Sequence, residues 1–159
     1  MQFIQHLLLI LSVLLLSAIP NAKNKNASLA NISAFEQMLK NGDLIFRRGL
    51  SIESDLVCLA EKESTYSHVG MIMRIHQKPY VIHSVPGEAG QAKEFIRLEP
   101  VADFLSPAKA SHFGLYRTLA GDSAAAEAAR QAYLFYQKHY VFDNDYDLTT
   151  ERSLYCTEL

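Results

Sequence analysis

The segment Ser67–Ile72, with the sequence SHVGMI, places a histidine at the start of an apolar run. Residues 69–75 are rich in β-branched and thioether side chains, which favours a strand. Gly70 inside that strand allows another backbone or a ligand to approach closely. The pattern predicts that His68 begins a buried strand, where it is either a catalytic base or a structural histidine.

A second strand is predicted at Tyr80–Val85, and it carries His83. If the hairpin turns around residues 75–76, His83 falls directly opposite His68, with Cβ atoms ~5 Å apart. If it turns at residues 77–78, both stay on one face but are offset by roughly 13 Å. Only the first register lets His83 orient the His68 ring and fix its tautomer, and otherwise His83 is a half-exposed strand residue.

The rest of the chain predicts a run of strands bounded by helices. Strands are predicted at 43–46, 94–98 and 113–117, and helices at 33–41, 52–62 and 123–139, with a helical turn at 100–105. Because strands follow one another rather than alternate with helices, we expect an α+β domain with an antiparallel sheet.

The N-terminal residues are typical of an export signal. Leu7–Ile19 is almost uninterrupted in its apolar character, and it is short for a bilayer span but long enough for a signal-peptide core. We therefore expect a signal peptide or N-terminal anchor at 1–22, a linker at 23–32 and one domain at 33–159. The protein is expected to be exported, to the periplasm or the cell envelope.

Charge excludes some partners. The 159-residue chain has a net charge of −2, and its lysines and arginines are scattered. This distribution offers no basic patch for nucleic acid or for an anionic membrane surface.

The chain has two cysteines, Cys58 and Cys156. They could pair in an exported domain, but a domain of this size does not need a disulfide, so we favour two free thiols. Cys58 lies in an apolar helical run with Leu56 and Leu59, where cysteine is usually a small buried hydrophobe. Cys156 is the better nucleophile candidate, since a helix N-terminus and a neighbouring imidazolium would favour its thiolate.

Metal sites are weakly supported. His68, His83 and Cys156 are legitimate zinc ligands, but no characteristic ligand spacing accompanies them. The alternating acids at 143, 145 and 147 lack the glycine and closing glutamate of a calcium loop, so they predict a solvated connection. We expect no metal and no cofactor.

Four segments together resemble a known family. They are 42–46, 67–72, 80–84 and 154–159, and they are similar to the YiiX/YebB-like cysteine hydrolases, circularly permuted relatives of the NlpC-type papain-like peptidases. The resemblance covers about residues 42–159. It implies a permuted papain-like fold, in which a barrel-like antiparallel sheet packs against helices.

The resemblance also implies residue roles. It gives Cys156 as the nucleophile and His68 as the base, and the third, orienting place falls on His83. Tyr66 is a candidate for assisting the oxyanion. A neutral histidine in the third place would not stabilise an imidazolium as a carboxylate does.

Relatives continue past the cysteine motif as a helix that carries the nucleophile on its first turn. Residues 157–159 cannot form a stable turn alone, because helix nucleation is costly. We therefore expect the nucleophile helix to be truncated and the C-terminus to be incomplete.

The expected function is cleavage of an amide bond through an acyl-enzyme, with a small peptide or a cell-wall peptide as substrate. One alternative keeps the mechanism but uses lipid acyl groups, as in the lecithin–retinol acyltransferase-like branch; an open apolar groove beside Cys156 would favour it. Another is a non-catalytic binding module with a degenerate triad.

Overall fold

The computed structural model describes residues 32–60, 64–85, 95–143, 153–154 and 159. The chain divides into two compact units, Met1–Phe35 and Glu36–Leu159. The predicted signal segment 1–22, the linker up to residue 31 and Cys156 lie outside the described residues. Within the described ranges, no helix is long and apolar enough to cross a membrane.

Seven strands and four helices make up the described part of the chain. The strands are β1 (Leu44–Gly49), β2 (His68–Ile75), β3 (Lys78–His83), β4 (Arg97–Pro100), β5 (Ala110–Tyr116), β6 (Val141–Phe142) and β7 (Ser153–Leu154). The helices are α1 (described over 32–38), α2 (Ile52–Ala60), α3 (Val101–Phe104) and α4 (Asp122–Gln137). Strands β1 to β5 form an antiparallel sheet in the order β4-β3-β2-β1-β5, while β6 and β7 pair in parallel. The predicted α+β class is confirmed.

The β2–β3 hairpin has a two-residue turn at His76 and Gln77, with φ of 48° and 70°. Positive φ at both positions matches the twist of the flanking strands. In the resulting register Met71 faces Ile82, so His83 lies opposite Gly70 and two positions away from His68 along β2. Both predicted registers were therefore wrong, because neither turn residue is the glycine or asparagine that usually marks such a turn. His68 and His83 nevertheless share one face, as predicted, in a diagonal arrangement.

Alternation along the strands gives the sheet two distinct faces. The first, which we call the histidine face, carries His68 and Gly70 of β2, His83 of β3, Arg47 of β1 and Glu99 of β4. The second, which we call the α4 face, carries Met71, Met73, Ile82 and Leu98, which pack in the cluster around Ala132 of α4. The histidine face also carries Ile45, Ile72 and Val81, which are fully buried, so both faces of the sheet contribute to the apolar core.

Helix α4 packs closely because it presents small residues to the rest of the domain. Ala125, Ala129 and Ala132 are its buried residues, and their spacing places them on one side of the helix. Gly42 matches this surface, since a Cβ atom there would lie 2.2 Å from the backbone oxygen of Ala125.

Helix α2 does not pack as the sequence predicted. None of its residues is buried, and Leu56 and Leu59 remain 60% and 75% exposed. Cys58 is a free thiol of intermediate exposure rather than a buried hydrophobe. The close approach of α2 to the sheet is made by small groups in its first turn, where Ser54 Oγ occupies the space beside Gly49. The apolar side of α2 therefore stays in solvent.

Candidate active site

Two histidines from neighbouring strands meet at the centre of the histidine face. His68 Nε2 lies 2.9 Å from His83 Nδ1, with the rings edge to face. His83 is buried, at 1% exposure, and Gly70 makes room for it, because a Cβ at position 70 would come within 3.2 Å of His83 Cβ. The diagonal register thus allows the ring contact that we had expected only from directly opposed residues.

Phe104 of α3 packs against this pair. Its ring centroid is 5.8 Å from that of His68 and 5.2 Å from that of His83. The guanidinium of Arg47 lies 4.3 Å from the Phe104 centroid, and Arg47 also donates a 2.9 Å hydrogen bond to the Phe104 carbonyl oxygen. The aromatic ring therefore covers the histidines on this side, and the contacts with Arg47 hold it in place.

A carboxylate stands at the far end of the pair. Glu99 Oε1 lies 3.0 Å from His83 Nε2, and Glu99 Oε2 accepts a 2.6 Å hydrogen bond from Lys109 Nζ. The His83 N–H direction does not meet strict hydrogen-bond geometry. The 3.0 Å separation nevertheless places the carboxylate within hydrogen-bonding distance of Nε2.

The surroundings keep both imidazoles neutral. Burial lowers the pKa of His68 well below its ordinary value, and the neighbouring His83 and Arg47 lower it further. His68 retains some exposure as a residue, but its ring is enclosed by His83 and Phe104. Burial also lowers the pKa of His83, against an opposing effect of Glu99.

Glu99 is ionised over the whole physiological range. Partial burial raises its pKa, but the close contact with His83 and the hydrogen bond from Lys109 outweigh that effect and bring the pKa to about 2. A permanent negative charge therefore faces His83.

His68 has one ring nitrogen left for chemistry. Nε2 is engaged with His83, and within the part of the chain that the structure describes no hydrogen bond involves Nδ1. A neutral imidazole with an unprotonated Nδ1 can accept a proton from a thiol and return it later.

The segment that leads to Cys156 is attached beside His83. Ser84, the buried residue after β3, donates a 2.6 Å hydrogen bond from Oγ to the carbonyl oxygen of Leu154. The same oxygen accepts a 3.2 Å hydrogen bond from the backbone N–H of Asp143. Strand β7 is therefore fixed to the end of the strand that carries His83, while Cys156 itself lies outside the described residues.

The structure does not bring Tyr66 to the histidine pair. Its ring packs 5.8 Å from Phe46 and 5.7 Å from His112. Phe46 points to the α4 face, since its neighbour Arg47 is the residue paired with His68. The Tyr66 hydroxyl occupies the space above Gly114, where a Cβ atom would be 2.4 Å away. The oxyanion role that the resemblance implied for Tyr66 has no geometric support.

Sequence reasoning missed Glu99, Arg47 and Phe104. The predicted strand at 94–98 ended one residue before Glu99, so its side chain was not assigned to a face. The alternation of charged and apolar residues from Arg97 to Glu99 is the signal that could have found it. Arg47 and Phe104 gave no comparable signal, because an arginine on a strand and a phenylalanine in a short helix are common.

The sheet, the covering helices and the histidine pair define a permuted papain-like protein. Residues 38–159 match the model of the permuted papain-like amidase enzymes of the YaeF/YiiX, C92 family. The chain belongs to this family, which is a family of cysteine peptidase or amidase type.

A solved structure supports the same fold. The structure titled metalloprotein yiiX from Escherichia coli O157:H7 is 24% identical, with a TM-score of 0.57, over 75% of this chain and 61% of that chain. This chain therefore spans about three fifths of the length of that relative. A comparison with curated proteins gives no match. Across the described ranges, no group of three or more His, Cys, Asp or Glu side chains could hold a metal ion.

Proposed function

We propose that this protein is a cysteine amidase in which Cys156 is the nucleophile and His68 the general base. The observation that carries the proposal is the 2.9 Å contact between His68 Nε2 and His83 Nδ1, in a chain of the permuted papain-like amidase family. A base held by a second group, with its other nitrogen left for a thiol, is the arrangement that nucleophilic catalysis requires.

The reaction proceeds in two halves. His68 Nδ1 takes the thiol proton of Cys156, and the thiolate attacks the carbonyl carbon of the amide. When the tetrahedral intermediate collapses, the C–N bond breaks and His68 gives its proton to the leaving nitrogen. Water then attacks the acyl-enzyme and gives a proton to His68, the C–S bond breaks to release the carboxylic acid, and His68 returns the proton to the thiolate of Cys156.

The environment of His68 suits this role. Its lowered pKa keeps the ring unprotonated at neutral pH, so the base is ready before substrate binds. The contact with His83 fixes the ring orientation, which reduces the reorganisation needed when the proton is transferred.

For the substrate, we propose an amide bond in cell-wall peptides. The export-type segment at 1–22 and the family resemblance support this choice, since an exported amidase of a cell with a peptide-containing wall meets that substrate in the envelope. We accordingly propose the periplasm or cell envelope as its location.

A second candidate substrate is a lipid acyl ester or thioester. It is favoured by the exposed apolar side chains of α2, where Ile52 and Leu59 are 76% and 75% exposed. Helix α2 begins three residues after β1, whose Arg47 pairs with His68. An exposed apolar helix side is the kind of surface that binds an acyl chain, and hydrolysis of ester-containing vesicles in preference to peptide amides would support this candidate.

The test is the alkylation rate of Cys156 as a function of pH, in a Cys58→Ser background that leaves one thiol. We expect a thiolate to react well below the ~8.5 of a free cysteine, and His68→Ala to abolish this reactivity. His112→Ala is the matched control, because His112 is exposed and lies on the α4 face.

If Cys156 reacts like an ordinary thiol in all variants, the amidase proposal is wrong. The protein would then be a binding module with an inactive site.

A further inference from the structure

The contacts on the histidine face form a line of three side chains. Glu99 Oε1 is 3.0 Å from His83 Nε2, and His83 Nδ1 is 2.9 Å from His68 Nε2. His83 is therefore contacted through both ring nitrogens, and His68 is contacted through Nε2. Each of these contacts requires one donor and one acceptor.

Glu99 decides which way the hydrogens point. An ionised carboxylate can only accept, so His83 must carry its hydrogen on Nε2. A neutral His83 with Nε2–H has an unprotonated Nδ1, which can only accept from His68. His68 must then carry its hydrogen on Nε2, and its Nδ1 is left unprotonated.

The opposite arrangement is unfavourable for an electrostatic reason. It would set the lone pair of His83 Nε2 against the Glu99 carboxylate at 3.0 Å. Among the described residues, the other charged groups that act on this line are Arg47, Arg97 and Lys109, and all three are cations without acceptor capacity. Among these charged neighbours, Glu99 is therefore the acceptor that can set the direction.

We propose that Glu99 is a positioning residue that sets the tautomers of both histidines, so that His68 Nδ1 is the unprotonated base. The role assigned to the base rests on the proposed function, whereas the tautomers are a property of the resting protein. Glu99 also supplies the negative charge that a neutral histidine in the third place lacks. When His68 becomes an imidazolium, it donates to His83, which is itself polarised by the carboxylate behind it.

The direct test is NMR of the full chain with ¹⁵N-labelled histidine, at a pH where both rings are neutral. Nitrogen chemical shifts separate protonated from unprotonated ring positions. We expect the Nε2–H tautomer for both His68 and His83 in the wild type. Protonated Nδ1 on either ring would overturn the proposal without any need for a variant.

Two substitutions of Glu99 give different expected outcomes. Glu99→Met removes the acceptor at similar volume, so we expect a mixture of tautomers in which His68 Nδ1 is partly protonated. Glu99→Gln keeps an oxygen, but Lys109 requires it, so the amide nitrogen should turn toward His83 and donate to Nε2. We expect that variant to invert both tautomers.

Lys109→Met is the matched control. It removes the other partner of Glu99 and leaves the carboxylate facing His83, so the wild-type tautomers should persist. If Glu99→Met and Glu99→Gln both retain the wild-type tautomers, Glu99 has no positioning role.

Activity separates this proposal from the proposed function. In an active protein, Glu99→Met should lower kcat by about tenfold or more with little change in KM, because general-base catalysis depends on the unprotonated nitrogen. If the tautomers change as expected in the Glu99 variants while Cys156 is unreactive, the role of Glu99 is upheld and the amidase proposal is rejected.

Discussion

The histidine face and the α4 face of the sheet are built from the same strands but are stabilised in different ways. Neighbouring residues on β3 illustrate the difference, since Ile82 packs in the apolar cluster with Ala132, whereas His83 contacts His68 and lies beside Glu99. Both are almost fully buried. Burial of Ile82 is favourable by itself, while burial of His83 is tolerated only because its nitrogens face partners.

The sheet can hold the His68–His83 pair in a fixed position because apolar side chains pack around it. On the histidine face, the buried side chains of Ile45, Ile72 and Val81 adjoin the polar cluster, so apolar packing on both faces of the sheet holds groups whose burial is unfavourable. We therefore expect substitutions in the Ile82 cluster to change stability without changing the histidine tautomers, whereas substitutions beside the histidines should change the tautomers or the reactivity of the site as well.

The largest expected effect is that of Ile82→Ala on stability. Ile82 is fully buried, so loss of its methyl groups should lower the free energy of unfolding by about 2–5 kcal/mol. Urea denaturation measures this change, and the tautomers by NMR should remain those of the wild type. Altered tautomers in a folded Ile82→Ala protein would show that the two faces are not independent.

A smaller effect is expected from Gly70→Ala. The added Cβ would lie 2.3 Å from Val81 Cγ1 and 3.2 Å from His83 Cβ, so the histidines should separate, and overpacking should cost about 1–3 kcal/mol. Gly114→Ala is the matched control, because its Cβ would meet the Tyr66 hydroxyl at 2.4 Å. Slower Cys156 alkylation is expected for Gly70→Ala only, and equal slowing in both variants would contradict the comparison.

The pH dependence of stability comes next. The pKa values of His68 and His83 are both lowered in the folded protein, mainly by burial. As pH falls through about 6.5, the unfolded chain takes up protons that the folded protein does not. The free energy of unfolding should therefore fall, by up to about 1.4 kcal/mol per pH unit for each histidine, until the folded rings themselves protonate.

Denaturation curves at several pH values between about 7.5 and 5 measure this slope. The variant with both His68→Gln and His83→Gln should show a much weaker slope over that range. An unchanged slope would mean that the buried pair does not account for the pH dependence.

The smallest effect is expected at Leu59. Because Leu59 is 75% exposed, Leu59→Ser should change stability by less than about 0.5 kcal/mol. A clear loss of stability would show that α2 packs more closely than the structure describes. A selective loss of hydrolysis of lipid esters would instead support the acyl substrate.

Elements with strong local patterns could be predicted from the sequence. Strands β2 and β3 and helix α4 were found because their apolar and alanine-rich patterns are long. The same-face placement of His68 and His83 followed from strand parity alone. The register did not, because it depends on a turn whose residues, His76 and Gln77, adopt positive φ without the usual sequence signal.

Features that depend on long-range contacts could not be predicted. Glu99 reaches the site only because β4 pairs with β3, and the exposure of Leu56 and Leu59 depends on how little of α2 meets the sheet. Strands β6 and β7 are each two residues long and pair in parallel although they are not adjacent in the sequence. No local pattern marks so short a strand. In each case the outcome depends on contacts between segments that are distant in the sequence.

The hydrogen bond from Ser84 to Leu154 has a consequence for how the molecule folds. It joins residues 70 positions apart, whereas His68 and His83 are 15 positions apart and share a hairpin. Closing the longer loop costs more chain entropy, so we expect the histidine pair to form first and the segment next to Cys156 to dock later. A chain that has only begun to fold would then hold the proposed base before the proposed nucleophile is in place, so the proposed hydrolytic activity would appear only after the later docking step.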